Sequence, residues 1–143
     1  MESDSNITTL YPQDENGEVK KEFNLKIGLS AVMRMDVLQM KDKQRYAVLK
    51  ILVEGGGCSG FSYDFDVISD EQSEKLISEM EDVLLFTHPR GMRILSDQLT
   101  MEMINGSTIE YVQEMIRSAF EVTENPMADN GCSCGVSFSP KGM

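Results

Sequence analysis

The chain has 143 residues, 41% of them apolar, enough for the core of one ordinary domain. It carries 24 acidic against 13 basic side chains, a formal net charge of −11, and so lacks the basic face with which a nucleic-acid binder displaces counterions from phosphate. No stretch approaches the roughly 20 apolar residues of a membrane-spanning helix, and the polar, acidic start Met1-Glu2-Ser3-Asp4-Ser5-Asn6 resembles neither a signal sequence nor a transit peptide, so the expected address is a bacterial cytoplasm.

Residues 1–22 mix Asp, Glu, Asn, Thr, Pro and Lys with few core formers and are expected to be a flexible acidic tail. From Phe23 the pattern changes. Ile27, Ala31, Met35 and Leu38 recur at helical spacing, which predicts a helix over 29–41 with Ser30 near its start as a cap. Tyr46 to Glu54 reads as a strand with Ala47, Leu49, Ile51 and Val53 on one face and Val48 and Leu52 on the other. Phe61, Tyr63, Phe65 and Val67 alternate with Ser62, Asp64 and Asp66, the pattern of a half-buried strand. These two strands flank Gly55-Gly56-Gly57-Cys58-Ser59-Gly60 and are expected to pair antiparallel, with the cysteine at their connection.

Ser69-Asp70-Glu71-Gln72 fits a capping box, so a helix is predicted over 70–81. Val83 to Phe86 and Met92 to Leu95 form a further predicted hairpin around His88-Pro89-Arg90-Gly91. Ser96 is expected to start a short helix through Met103, closed by Asn105-Gly106. Thr108 to Val112 and Ala119 to Thr123 are the last predicted strands, and residues 127–143 are expected to be a flexible tail carrying Cys132 and Cys134. The expected fold is one α+β domain over 23–126, mainly antiparallel strands in a flattened barrel or sandwich with two or three helices.

Three cysteines cannot all pair within one chain, and a chain without a secretion signal favours thiolate chemistry over disulfides. Cys132 and Cys134 stand one residue apart between glycines, and Cys58 lies in a glycine-rich connection with room for a bulky inorganic group. Backbone N–H groups in such a loop stabilise thiolate and donate to cluster sulfides. Three thiols fall one short of the usual four of an iron–sulfur cluster, a shortfall that a second copy of the chain can meet. By spacing, a cluster or iron at Cys58, Cys132 and Cys134 is favoured. Structural zinc and redox cycling of the Cys132/Cys134 pair remain alternatives, although neither paired Cys-x2–4-Cys spacing nor Cys-x-x-Cys is present. Tyr63 is expected to be a core aromatic, His88 a surface residue, and Asp64 and Asp66 the wet face of their strand.

Val53-Glu54-Gly55-Gly56-Gly57-Cys58-Ser59-Gly60-Phe61 resembles the first signature of the A-type iron–sulfur carriers, the HesB/IscA-like family. Gly131-Cys132-Ser133-Cys134-Gly135-Val136-Ser137-Phe138 resembles its second, Cys-Gly-Cys-Gly-x-Ser-Phe, and Asn105 to Val112 and Phe120 to Pro126 resemble the run between them. The resemblance spans about residues 23–138. It implies a compact β-rich fold, a homodimer or homotetramer, and all three cysteines as ligands of a 2Fe–2S or 4Fe–4S cluster. It implies a carrier or scaffold without catalytic turnover, which works with other cluster-assembly proteins and hands the cluster to apo-proteins. Delivery of mononuclear iron through the same thiols is the second role to expect. Ser133 replaces the family's usual glycine, the stretch from Ser69 to Asp82 is longer than usual, and the acidic N-terminal segment is extra. None of these departures removes a ligand.

Overall fold

The structure is a computed structural model that describes residues 6–55, 61–115 and 118–126, and the backbone of Ser137 and Phe138. Cys58, Cys132 and Cys134 lie outside the described residues. The elements in chain order are β1 (Ile7–Leu10), β2 (Leu25–Gly28), α1 (Leu29–Lys41), β3 (Val48–Gly55), β4 (Phe61–Ile68), α2 (Asp70–Glu79), β5 (Val83–Thr87), β6 (Arg93–Asp97), α3 (Gln98–Ile104), β7 (Thr108–Gln113), β8 (Ser118–Glu124) and β9 (Ser137–Phe138).

Two sheets, neither closed into a barrel, share one core. The first has the order β1-β2-β7-β8 and the second β5-β6-β3-β4-β9. Most pairs are antiparallel as expected, but β2 runs parallel to β7 and β3 parallel to β6. Leu25, Ile27 and Ile109 from the first sheet meet Leu49, Ile51, Phe86 and Ile94 from the second, together with Met35 of α1 and Met101 and Ile104 of α3. A second cluster of Ala47, Val48, Ile68, Val83 and Leu95 packs with Leu76, Ile77 and Met80 of α2. That is why β3 is apolar on both faces: Leu49 and Ile51 enter the main core while Val48 packs on the α2 side.

Helix boundaries follow local chemistry. Ser69 Oγ accepts from Gln72 N at 3.1 Å and Gln72 Oε1 accepts from Ser69 N at 3.1 Å, the reciprocal pair of the predicted capping box. Helix α3 starts later than expected. Ser96 still belongs to β6, which pairs with β5 as far as Val83 opposite Asp97, so Asp97 becomes the cap and its Oδ1 accepts from Thr100 N at 2.8 Å. Ser30 is not a cap either. Gly28 occupies that position without a side-chain bond, and Ser30 Oγ accepts from Tyr111 N at 3.0 Å, tying α1 to β7.

The N-terminal segment differs from the expected loose tail. Ile7–Leu10 pairs antiparallel with β2, Leu10 is 5% exposed within the core, and Gln13 exchanges backbone hydrogen bonds with Leu85 at 2.8 and 2.9 Å. An edge strand needs only one buried side chain and a ladder of backbone bonds, and polar composition does not reveal either. The C-terminal segment is likewise tied to the domain where Ser137–Phe138 pairs with β4.

Candidate cluster-binding site

The site is built around the first residues of β4. Strands β3 and β4 pair over their whole length, from Val48 opposite Ile68 to Gly55 opposite Phe61. Residues 56–60, with Cys58 at their centre, therefore join two strand ends held side by side, and Phe61 follows Cys58 by three residues. The end of β3 is fixed from below by α3, where Thr100 Oγ accepts from Val53 N at 3.2 Å.

The described residues on either side of 127–136, the stretch that includes Cys132 and Cys134, both contact β4. Before them, Asn125 Nδ2 donates to the Tyr63 hydroxyl at 3.0 Å and to Met103 O at 3.4 Å. After them, Ser137 pairs with Ser62 and Phe138 with Phe61. Both anchors lie on Phe61, Ser62 and Tyr63. The described residues that flank the second cysteine motif thus contact the first residues of β4, which follow the first motif in sequence.

Tyr63 does more than the expected core packing. It is half-buried, its ring lies 6.3 Å from that of Phe65, and its hydroxyl receives the Asn125 amide. Local pattern holds no sign of this pairing, because the partner lies 62 residues away. Asp64 is taken up by an ion pair with Lys50 at 3.4 Å, while Asp66 is exposed. Among the described residues, no three His, Cys, Asp or Glu side chains gather as ligands for a metal ion.

His88 is corrected from surface residue to buried group, 6% exposed. The β5–β6 turn folds back so that His88 N donates to Met92 O at 2.7 Å and Nδ1 accepts from Arg90 N at 3.0 Å. Burial, and secondarily the Arg90 charge, hold its pKa below the usual histidine value against an opposing pull from Asp36. Strand β3 separates β6 from β4, which sets the His88 turn apart from the Phe61 end of β4. No helix among the described residues is long and apolar enough to cross a membrane.

Known proteins share this plan. The profile of the iron-sulphur cluster biosynthesis family matches residues 23–136. The iron-sulfur cluster insertion protein ErpA of Wigglesworthia glossinidia brevipalpis is 34% identical over 122 residues, covering 85% of this chain and 98% of that protein. The human mitochondrial iron-sulfur cluster assembly 2 homolog is 39% identical over 93 residues, covering 65% of this chain. The chain matches about half the length of that relative, 54%. Among solved structures, Escherichia coli SufA, involved in biosynthesis of iron-sulfur clusters, superimposes with a TM-score of 0.60 at 29% identity over 80% of this chain and 91% of its own. IscA, solved with a [2Fe-2S] cluster, superimposes with a TM-score of 0.61 at 24% identity over 81% of this chain and 97% of its own, and shares the fold. The chain belongs to the iron–sulfur cluster biosynthesis family, the A-type carriers of HesB/IscA-like fold that its two cysteine motifs resemble.

Proposed function

We propose that this protein binds a 2Fe–2S or 4Fe–4S cluster through Cys58, Cys132 and Cys134, completes the ligand shell with a second copy of itself, and passes the cluster to apo-proteins. The observation that carries the reading is the double anchorage of residues 127–136 on Phe61, Ser62 and Tyr63, three to five positions beyond Cys58. A soft thiolate set of this kind suits iron–sulfur chemistry, and three thiols per chain leave it one short of a saturated cluster. At the Phe61–Phe138 pair the two strands run in opposite directions, so the chain leads to Cys58 from one end of the pair and to Cys134 from the other. Ligands from a second copy fit both the direction and the count.

The same incompleteness serves delivery. Each acceptor cysteine gives up a proton, and its thiolate replaces a carrier thiolate on iron. The released carrier cysteine takes up a proton, and no electron changes hands. The protein is then a carrier rather than a catalyst with turnover. Similarity to bacterial insertion proteins over nearly their whole length supports a bacterial cytoplasm as the place of action.

Anaerobic addition of iron and sulfide tests the reading. The expected product is brown, with thiolate-to-iron absorption and labile sulfide near the iron content. Replacement of Cys58, Cys132 or Cys134 by Ser abolishes each, and the loaded protein transfers its cluster to an apo-ferredoxin. A colourless protein that binds zinc tightly overturns it.

A further inference from the structure

Four arginines fall among the described residues: Arg34, Arg45, Arg90 and Arg93. Arg90 and Arg93 pair with carboxylates, those of Asp36 and Asp70. Arg34 and Arg45 have no carboxylate partner among the described residues. Each guanidinium lies instead over a tyrosine ring, Arg34 at 5.0 Å from the centroid of Tyr111 and Arg45 at 5.1 Å from that of Tyr46. In a chain with 24 acidic side chains, two arginines without a counter-ion among the described residues stand out against the electrostatic trend.

Both arginines line one open trough of about 410 Å³ where α1, β4 and β8 come together. Leu38, Phe65, Val67 and Phe120 give it an apolar lining, and Asp66 is its one carboxylate. A smaller groove of about 280 Å³ shares Arg34 and Tyr111 with it and adds Met33 and Val37, which are 54% and 43% exposed on α1. Stacking on tyrosine holds a guanidinium in place while leaving its N–H donors free for an incoming anion. Arginine, tyrosine and methionine set beside exposed apolar surface is the composition of a protein-recognition patch.

We propose that this surface docks the protein that accepts the cluster, through an acidic segment of that protein. Carboxylates of the segment meet Arg34 and Arg45, and its apolar side chains cover Met33 and Val37. Charge complementarity favours this occupant, since two guanidinium groups without a carboxylate partner among the described residues face a single carboxylate, Asp66, in the trough. The inference rests on the carrier reading, in which the acceptor is held while thiolates exchange. The trough also lies on the strand that leads to Cys58: Phe65 is four residues beyond Phe61, about 13 Å along β4 at the usual strand rise.

The test uses the full-length, cluster-free chain and, as probe, an apo-[2Fe–2S] ferredoxin with an acidic surface. Binding is measured by calorimetry at low and high salt. Wild-type binding weakens as salt rises, the R34Q/R45Q variant binds about tenfold or more weakly with a flattened salt dependence, and R34K/R45K recovers part of the loss. Cluster loading and thermal midpoint of the double variant stay at wild-type values. The proposal is overturned if R34Q/R45Q binds the probe like wild type, or if wild type does not bind it. It is overturned too if the double variant loses a self-association that wild type shows in sedimentation, since the surface would then join two copies of this chain. Because binding is read without a cluster, a protein that fails to load one sinks the carrier reading and leaves this measurement interpretable.

Discussion

The side-chain amide of Asn125 donates to the hydroxyl of Tyr63 at 3.0 Å, and so ties the end of β8 to the strand that follows Cys58. Together with the pairing of Phe138 and Phe61, it pins both ends of residues 127–136 to β4. Removing one anchor should loosen cysteine placement without unfolding the domain. Tyr63→Phe keeps the ring packing and loses the hydroxyl, at a cost of about 1 kcal/mol in stability for one half-buried hydrogen bond. The expected result is a protein that still turns brown on reconstitution but releases its cluster to a chelator several-fold faster than wild type. Equal release rates would show that the bond does not position the cysteines.

The N-terminal strand gives a second prediction. Leu10 is 5% exposed and belongs to the main core, so Leu10→Ala should destabilise by about 2–3 kcal/mol, at the low end for large-to-alanine changes because β1 is an edge strand that can relax. A loosely attached tail would tolerate the change at no cost. Denaturant midpoints of the two proteins decide between them.

Residue pattern made most elements legible, and the exceptions have physical causes. Helix α1 spans the predicted residues because Ala31 and Met35 face the core at 3.6-residue spacing. Yet Ile27 fits that same spacing while belonging to β2, a four-residue strand whose parallel partner β7 lies some 80 residues on. A strand so short, abutting a helix, leaves no period of its own. The three cysteines are assigned from motif alone. The Asn125–Tyr63 and Phe61–Phe138 contacts that flank the second motif are not legible, because they depend on topology rather than on local sequence. The burial of His88 escapes local pattern for a related reason: turns are usually exposed, but this one closes on itself through Met92 and buries the ring.

The approach of β2 to β7 is close enough to be tested by a single methyl group. A Cβ on Gly28 would come within 2.7 Å of Glu110 Cγ, inside normal contact, although the Gly28 backbone at φ −75° and ψ 153° accepts any residue. Overpacking costs about 1–3 kcal/mol, and the smaller unfolded-state entropy of alanine returns about 0.4–1 kcal/mol. Gly28→Ala should therefore destabilise by about 1 kcal/mol. In the Glu110→Ala background the same change should be neutral or stabilising, so a double-mutant cycle gives a coupling of about 1 kcal/mol. Additive effects would mean that Glu110 swings aside freely.

His88 gives the chain a pH dependence above the carboxylate range. Its pKa is lowered in the folded protein, chiefly by burial, so the unfolded chain binds the proton more readily than the folded one. Stability is then complete above the ordinary histidine pKa of about 6.5 and declines as pH falls from there toward the lower folded value. Protonation also costs the bond that Nδ1 accepts from Arg90 N, since the charged ring has no lone pair to offer. Thermal midpoints measured between pH 8 and 5.5 should fall for wild type. His88→Asn cannot titrate, and should be less stable than wild type at pH 8 but nearly flat across the same range. A wild-type slope that persists in His88→Asn would assign the effect to other groups.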